Sequence, residues 1–330
     1  MSDQKKPGSG LMGRIPGGVT RILGLVIALL AIVAIGIITA GGRFASVDNL
    51  LTILRLAAIV GVISIGQTFV ITSGGIDLSV GALLGLATVW ATTGATQYYA
   101  NQSTWLLIVG VALMVGLGGG LLNGIMVAYG KIVPFIATLA MMVSARGMAE
   151  WISNRQTQII KVPGFDKFFS NDVLGIPMLV WIFAVVIVIG WVLYNRTTFG
   201  RRTVAIGGNL EASRLAGIKT KRHIVMVYAL CGLLVGIAAV MMMGRTMAGT
   251  STHGYLYEMD AIAAVVVGGT MLTGGRGTII GTVIGVLIFT ILTNIFTQNN
   301  LPMSVQQITK GVIIVGAVLL QVRIAEHAKS

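Results

Sequence analysis

Long apolar runs separated by short polar segments dominate the chain. We count ten runs that predict spanning or near-spanning helices, because a helix needs about 20 apolar residues to cross the hydrocarbon core of a bilayer. Their expected limits are 22–40, 51–72, 78–92, 105–129, 134–152, 177–194, 223–243, 259–270, 278–296 and 305–322. The third run is short, and the eighth is too short to span alone. Since the runs lack the strict alternation of a membrane barrel, the pattern predicts an all-α polytopic membrane protein.

Composition strengthens this interpretation. Of the 330 residues, 55% are hydrophobic and only 10% are charged, whereas a soluble domain carries about 25% charged residues. A soluble globule is therefore excluded. The 45 glycines fit a membrane bundle, in which small residues let helices pack closely.

The distribution of charge orients the bundle. The net charge is +13, and the stretch 195–222 holds seven basic residues against one acid, Glu211. The largest loop on the other side, 153–176, holds three basic residues against two acids. Because basic loops stay on the cytoplasmic side, we expect 195–222 to be a cytoplasmic loop and 153–176 an external loop. Both termini are then cytoplasmic.

Three regions follow from this topology. The polar start of the chain is rich in glycine and proline and is typical of a disordered lead. The apolar run after it lacks a cleavage pattern and indicates an anchor instead of a removed signal peptide. We expect a disordered cytoplasmic segment at 1–20, a transmembrane domain at 21–323 and a cytoplasmic tail at 324–330.

Glycine-rich breaks interrupt the apolar pattern twice. The first, SGGIDLSVG at 73–81, joins a long run to a short one, and the second, GGTMLTGGRG at 268–277, follows a long and then a short run. The two long runs enter from opposite sides, so the spacing indicates an inverted repeat with broken helices, a common transporter plan. Asp77 in the first break has two interpretations. Either its carboxylate caps the next helix, or the break lines a polar path or gate.

The cytoplasmic loop contains a candidate for a short amphipathic helix. This segment, 209–216, lies between the pair Gly207-Gly208 and Gly217. We expect it to contact a soluble partner, since a structured cytoplasmic loop suits that role in a membrane protein.

Polar side chains within the apolar runs are candidates for a path. Neutral groups of this kind either bond neighbouring helices to one another or line a path for an uncharged polyol, with Phe69 and Phe135 as apolar constrictions. The candidates are Ser64, Gln67, Thr68, Asn123, Thr138, Ser144, Asn294 and Gln307. Arg146 and Glu150 lie four apart and are expected to pair on one helix face, as a structural pair or at the outer mouth of the path.

Several kinds of chemistry lack their motifs. The chain has no GxxxxGK[ST] pattern for nucleotide phosphates, and its nucleophiles and bases form no recognisable constellation. We therefore expect no enzyme active site and no cofactor bound by this chain. The lone Cys231 forms neither an internal disulfide nor a zinc site, and His253 has no ligand partners in sequence. Basic residues are not interleaved with aromatics, which argues against nucleic acid binding.

Four segments together carry a resemblance to a known family. They are TSGGIDLSVG (72–81), NGIMVAYGKIVPFIATLAMM (123–142), FGRRTVAIGGNLEASRLAGI (199–218) and YEMDAIAAVVVGGTMLTGGRGTIIGTVIG (257–285). In these segments and their order, the chain resembles the membrane permeases of bacterial ABC importers for monosaccharides, the ribose/xylose/galactoside type. The resemblance covers most of the chain beyond residue 45.

The resemblance implies a homodimeric permease in the lipid of the bacterial plasma membrane. ABC ATPase subunits, which hold ATP and Mg²⁺, would bind beneath it, and a soluble sugar-binding protein would dock outside and deliver a pentose or hexose for alternating access. The coupling helix that fits into the ATPase maps onto Gly208, Asn209, Glu211, Ala212, Arg214, Leu215 and Gly217. The candidate path or gate residues are Phe69, Asp77, Asn123, Phe135 and Thr138.

Other functions stay open at this stage. An ion-coupled secondary transporter or a facilitator would need no ATPase and would favour a buried carboxylate relay, for which Asp77 alone is thin support. A related ABC permease for branched-chain amino acids or a furanosyl signal is a second alternative, although a zwitterion would want compensating charges. A structural membrane protein is a third, which the paired helix breaks disfavour.

Overall fold

A computed structural model describes residues 17–327 of the chain, which are almost entirely helical. The helices are α1 Gly17–Ala40, α2 Val47–Thr72, α3 Val80–Ala91, α4 Gly94–Gln102, α5 Leu106–Ala128, α6 Pro134–Ser153, α7 Phe165–Ser170, α8 Met178–Arg196, α9 Thr198–Gly208, α10 Leu210–Leu215, α11 Thr220–Thr246, α12 Tyr257–Val267, α13 Ile279–Gln298 and α14 Met303–His327. Two-residue strands form two small antiparallel pairs on the external side, β1 Gln158–Ile159 with β4 Ala248–Gly249 and β2 Asp172–Val173 with β3 Ile176–Pro177.

The predicted all-α membrane architecture is confirmed. Each of the ten predicted runs is a helix, and seven helices in the described part of the chain are long and apolar enough to cross a membrane. The helix ends differ by a few residues for local reasons. For example, α2 starts four residues early because the Ser46 side chain caps it by accepting a hydrogen bond from the Asn49 amide at 3.2 Å. The short helices α4, α7 and α9 were not predicted.

The ends of the chain lie partly outside the described residues. Of the predicted disordered segment 1–20, residues 1–16 are not described, and residues 17–20 belong to α1. Of the predicted tail 324–330, residues 328–330 are not described, and α14 continues to His327.

The predicted inverted repeat is visible in the way the helices pack. One repeat consists of α2, α3, α5 and α6, and the other of α11, α12, α13 and α14. The equivalent helices are α2 and α11, α3 and α12, α5 and α13, and α6 and α14. Each helix contact in one repeat has its equivalent in the other: α5 packs on α11 as α13 packs on α2, α6 on α3 as α14 on α12, and α3 on α11 as α12 on α2. Because α2 and α11 are antiparallel, with Arg55 near Arg245 and Gly66 against Cys231, the two repeats are inverted.

The second break of this repeat was wrongly placed. We expected 268–277, which follows the short helix, but the segment equivalent to the first break is 247–256, which precedes α12. We located the break in the sequence by its glycine content. The backbone of 247–256 is irregular for a different reason, because Met247 and Leu256 both have positive φ.

The segment 247–256 runs back along α3 towards the interior. The backbone of Gly249 lies against Thr88 near the end of α3, the carbonyls of Ser251 and His253 face Gly85, and Gly254 abuts Gly81 at its start. The short helices α3 and α12 therefore begin next to each other inside the protein. Irregular backbone at membrane depth is tolerated only where protein covers it, and here α3 supplies the cover.

Glycines hold the centre of the bundle together. Along α5, Gly116, Gly120 and Gly124 recur every fourth residue and face α11, where Gly232 and Gly236 leave room for the approach. A Cβ at Gly120 would overlap the carbonyl oxygen of Tyr228 and lie 2.9 Å from the Cα of Gly232. The two backbones therefore touch, as in the close helix pairs of other membrane proteins.

We expect Gly120→Leu to destabilise the protein by about 2 kcal/mol or more, because overpacked contacts cost about that much and backbone cannot move aside. Gly118→Leu is the matched control, since nothing lies within 4 Å of a Cβ at Gly118 on the same helix. Thermal unfolding in mild detergent measures both. Equal midpoints for the two variants would contradict the α5–α11 contact.

Candidate functional site

A short helix, α10, forms within the basic loop 195–222, as the sequence predicts. Helix α10 begins after Asn209, whose side chain accepts a hydrogen bond from the Ala212 amide at 2.9 Å. It ends at Leu215, and Gly217, two residues further on, has a φ of 82° that suits a left-handed helix terminus. Both the cap and the terminating glycine belong to the predicted coupling residues.

The outer surface of α10 is open to a partner. Leu215 is 80% exposed and Leu210 is 50% exposed. Glu211 and Arg214 are also exposed and form an ion pair along the helix, while Ser213 is the buried member of α10. Two exposed leucines beside an exposed arginine give this short helix apolar area and a charged group that a protein partner could cover.

Four glycines fix this loop to the base of the membrane domain. We call Gly74, Gly207, Gly274 and Gly275 the glycine junction. A Cβ at Gly207 would overlap the carbonyl oxygen of Thr72 and lie 2.6 Å from the Gly275 nitrogen, and one at Gly274 would lie 3.0 Å from the Cα of Gly74. The Gly275 amide also donates to Thr72 O at 2.9 Å. The junction thus joins α9, the first break and the segment after α12 by backbone contact alone.

An aromatic cluster holds α9 beside this junction. Phe199 of α9 packs against Phe69 at 5.8 Å and against the His223 ring at 4.7 Å, measured between ring centroids. Thr203 and His223 Nε2 share a hydrogen bond of 2.8 Å. Phe69, which the sequence proposed as a constriction, is fully buried against Tyr194 and Phe199 and does not face an open space in this structure.

The first break is held by side chains from several helices. The Asp77 carboxylate accepts hydrogen bonds from the Ser79 amide at 2.8 Å and the Ser79 hydroxyl at 2.6 Å. Asn123 Nδ2 donates to the Ser79 hydroxyl at 2.8 Å and faces both Asp77 oxygens at 3.4 Å. Gln67 donates to the Asp77 carbonyl. Asp77 is buried, and its carboxylate binds the amide of Ser79, the residue just before α3. The free amides within the first turn of α3 receive no side-chain cap, so Asp77 fixes the turn ahead of the helix.

The helix α6 is tied to the same break. Thr138 donates to the Ile76 carbonyl at 3.3 Å, and the Tyr228 hydroxyl of α11 approaches the same oxygen at 3.5 Å. Thr138 is buried, whereas Phe135, one turn earlier, is 51% exposed. The exposed apolar side of α6 continues along the helix through Ile136, Leu139, Val143, Met148 and Trp151.

The predicted pair of Arg146 with Glu150 is wrong. Arg146 donates instead to the carbonyls of Ser251 and His253 in the second break, the latter at 3.0 Å. Glu150 pairs with Arg155 at 2.8 Å. The i,i+4 rule describes an isolated helix, and here the free carbonyls of the second break compete more effectively for the guanidinium because lipid leaves them no other partner.

Most neutral polar candidates bond neighbouring segments. Thr68 and Thr282 share a hydrogen bond of 2.7 Å between α2 and α13. Asn49 and Asn294 exchange two hydrogen bonds, of 3.1 and 2.8 Å, between the same helices. These residues tie the bundle together, and Gln307 lies in a cavity.

The sequence places Glu258 and Asp260 at the start of α12, where carboxylates suit the helix dipole, but it did not predict the partner of Asp260 or the burial of Glu258. Glu258 is 7% exposed, and its Oε2 atom has no hydrogen-bond partner among the described residues. Lys310 of α14 binds both oxygens of Asp260 at 2.8 and 3.0 Å. The signal was present, since Lys310 is a charge within a predicted spanning run and such charges seldom lack a role.

Comparison of the sequence with known proteins identifies the family of this chain. The model of the family described as "Branched-chain amino acid transport system / permease component" matches residues 49–319. The ribose import permease protein RbsC of Bacillus subtilis (strain 168) is 43% identical, over 82% of this chain and 84% of its own length. RbsC of Escherichia coli (strain K12) is 38% identical, over 89% and 92%. The galactose/methyl galactoside import permease protein MglC of that strain is 35% identical, over 90% and 93%. No solved structure matches the chain.

The glycine junction predicts a sharp difference between neighbouring glycines. Gly207→Ala should push α9 away from Thr72, and tryptic cleavage at the basic residues of 195–222 should become about tenfold faster, because overpacking costs about 1–3 kcal/mol and raises local opening accordingly. Gly208→Ala is the control, as nothing lies within 4 Å of its Cβ position. If both variants are cleaved at the rate of the unmodified protein, the junction does not hold the loop.

Proposed function

Since the chain belongs to the family of branched-chain amino acid transport system permease components, and so is a multi-pass protein of the bacterial inner membrane, we propose that it is the permease subunit of an ABC importer for a monosaccharide. The observation that carries this proposal is the exposed, capped helix α10 seated on the glycine junction. A partner that pushes on α10 would also push on the end of α9. There, Gly207 contacts Thr72, just before the first break, and Gly275, in the segment after α12.

The route for that push can be followed through contacts. Helix α9 follows α8 and leads into α10, and Gly207 at its end touches Thr72 and Gly275. Thr72 immediately precedes the first break, and the break is bonded to α6 through Thr138. A displacement of α10 by an ATPase that closes on ATP and Mg²⁺ would therefore pass to the first break through backbone contacts and from there to α6 through the Thr138 hydrogen bond.

The exposed apolar side of α6 favours a second copy of the chain as its neighbour. It faces away from α3 and α5, on which α6 packs, and it begins at Phe135 on the cytoplasmic side. In a homodimer with the path between the two subunits, Phe135 would stand at the inner mouth. Asp77, Asn123 and Thr138 then act by positioning the first break behind α6.

The solute is proposed to be a neutral sugar. The relatives above are named as permeases for ribose and galactose or methyl galactoside. The alternative of a branched-chain amino acid needs charges that compensate a zwitterion. In the described residues Lys310 and Asp260 already pair with each other, and Arg146 is bound to backbone carbonyls, so the second class is less favoured.

An ion-coupled transporter is the other alternative. Asp77 resembles a carboxylate of such a carrier because it is buried, but four hydrogen-bond contacts from Ser79 and Asn123 are directed at it, which suits a structural role. The exposed Leu215 has no purpose in a carrier that lacks a cytoplasmic partner. A soluble sugar-binding protein would deliver the sugar to the external side, which carries the loop 153–176.

We expect Leu215→Asp and Arg214→Glu to weaken ATPase binding by about thirtyfold or more, since an interface anchor contributes about 2 kcal/mol or more. Sugar-stimulated ATP hydrolysis in the reconstituted complex should fall accordingly. Leu174→Asp is the control, because Leu174 is 86% exposed but lies on the external loop. Normal stimulated hydrolysis in the α10 variants would overturn the coupling assignment.

Phe135→Ala should change the rate of sugar uptake several-fold while ATPase binding stays intact, because it removes an apolar constriction at the inner mouth. The control is Val188→Ala on α8, where Val188 is 62% exposed outside the proposed path. Radiolabelled sugar uptake and co-purification of the ATPase are measured on the same preparations. Unchanged uptake kinetics for Phe135→Ala would remove this residue from the path.

A further inference from the structure

A cavity of about 490 Å³ opens between α2, α12, α13 and α14. This volume lies within the range of small-molecule sites, about 300–1,000 Å³. Its walls combine aliphatic side chains with aromatic rings and several hydrogen-bonding groups. The polar and aromatic lining residues are Tyr255, Tyr257, Asp260, Phe289, Thr290, Thr293, Gln306, Gln307 and Lys310.

The cavity reaches into the membrane from the external side. Helix α14 begins at Met303 at the external end, and Lys310 lies seven residues further in, a depth of about 10 Å at 1.5 Å per residue. The side chains of Lys310 and Asp260 are only 19% and 22% exposed. Charges at this depth are costly unless they pair and face a cavity, and these two do both.

Two neutral groups in the wall lack partners. The Thr290 side chain belongs to a residue that is 8% exposed, yet neither it nor the Gln307 amide makes a side-chain hydrogen bond to any residue in the range 17–327 that the structure describes. By contrast, Gln306 donates to Leu301 O at 3.1 Å and Thr293 to Phe289 O at 2.9 Å. A polar side chain that faces a cavity and has no partner in the protein can form its hydrogen bonds with a bound ligand or with water.

The position of the cavity connects it with the proposed path. Helix α14 occupies in the second repeat the place of α6 in the first, and the two short helices lie between them, with α6 on α3, α3 on α12 and α12 on α14. The cavity therefore opens along the same row of helices whose other end carries Phe135. A solute that enters from outside meets this cavity before it reaches the inner mouth.

We propose that this cavity binds the monosaccharide during transport, a step that rests on the proposed sugar-import function. The side chains of Thr290 and Gln307 can donate hydrogen bonds to the sugar hydroxyl groups and accept hydrogen bonds from them. The Lys310–Asp260 ion pair adds a charged donor and a charged acceptor but no net charge. Tyr255 and Tyr257 present aromatic surface to the C–H faces of a sugar ring. An acyl chain would fill the aliphatic wall but would leave the side chains of Thr290 and Gln307 without hydrogen-bond partners.

Cysteine protection tests the site without relying on transport. The chain has one cysteine, Cys231, which is buried, so an introduced thiol reports alone. In the complete complex reconstituted in liposomes, Gln307→Cys is labelled with a small hydrophilic thiol reagent, with and without millimolar D-ribose or D-galactose. Ser304→Cys is the control, since Ser304 is exposed on the same helix, one turn away, and does not line the cavity.

Slower labelling of Gln307→Cys by at least about threefold in the presence of one sugar, with Ser304→Cys unchanged, is the expected result. Equal protection at both positions would indicate a general change of conformation and overturn the site. Decanol is tested in parallel as a probe for an acyl chain. Protection of Gln307→Cys by decanol but not by sugar would also overturn the sugar site. The absence of any protection while sugar uptake persists would overturn it as well. Absence of uptake of any sugar by the unmodified complex would instead overturn the proposed function.

A second variant measures the contribution of one hydroxyl. Thr290→Val keeps the shape of the side chain and should raise the sugar concentration for half-maximal uptake by about threefold to tenfold, as expected for one lost hydrogen bond of about 1 kcal/mol. An unaltered half-maximal concentration would exclude Thr290 from sugar binding.

Discussion

Two helices are interrupted inside the membrane, and the backbone groups at the interruptions must find partners in the protein because lipid offers none. In the first break, the Ile76 carbonyl faces Thr138 and Tyr228, and the Asp77 carbonyl faces Gln67. In the second break, two carbonyls face Arg146. Each break is therefore bonded to helices that lie far from it in sequence. This requirement explains why the polar residues of an apolar bundle gather around α3 and α12.

The same requirement gives the breaks a mechanical role. A break whose polar groups are held by α6 cannot move without moving α6 or exposing unpaired groups at a cost of several kcal/mol each. The glycine junction places α9 in direct backbone contact with both the first break and the segment after α12. Small residues permit this approach, and side chains that could flex are absent from it. The proposed coupling from α10 to α6 depends on these two features together.

Much of this arrangement can be predicted from residues that are neighbours in the sequence. Length and hydropathy predict the ten runs because a spanning helix satisfies its own backbone. Helix α10 is predicted by an amphipathic stretch between Gly207-Gly208 and Gly217, and the Asn209 cap and the left-handed Gly217 that bound it depend only on neighbours in the chain. The basic loop that contains α10 gives the orientation. The family resemblance rests on the same short segments.

The parts that could not be predicted depend on contacts between distant residues. Arg146 meets carbonyls that are over a hundred positions away, and Lys310 meets Asp260 fifty positions away, so spacing on one helix points to the wrong partner or to none. The second break escaped notice because 247–256 is irregular without being rich in glycine. The rings that pack on Phe69 belong to Tyr194 and Phe199 on α8 and α9, contacts that the sequence around Phe69 does not reveal, and its role as a constriction stays a prediction. Sequence patterns describe each element, and packing decides what faces a path.

The central claim is that ATP hydrolysis in a partner drives a sugar through this chain. The most direct test is uptake of radiolabelled ribose and galactose into proteoliposomes that contain the chain and its co-purified ATPase. The binding protein is added outside the vesicles. Uptake is compared with and without ATP enclosed in the lumen, which corresponds to the cytoplasm. The account predicts accumulation of one sugar above its external concentration only when ATP and Mg²⁺ are present. Accumulation that needs an ion gradient and no ATP, or equilibration at the same rate with and without ATP, would contradict it.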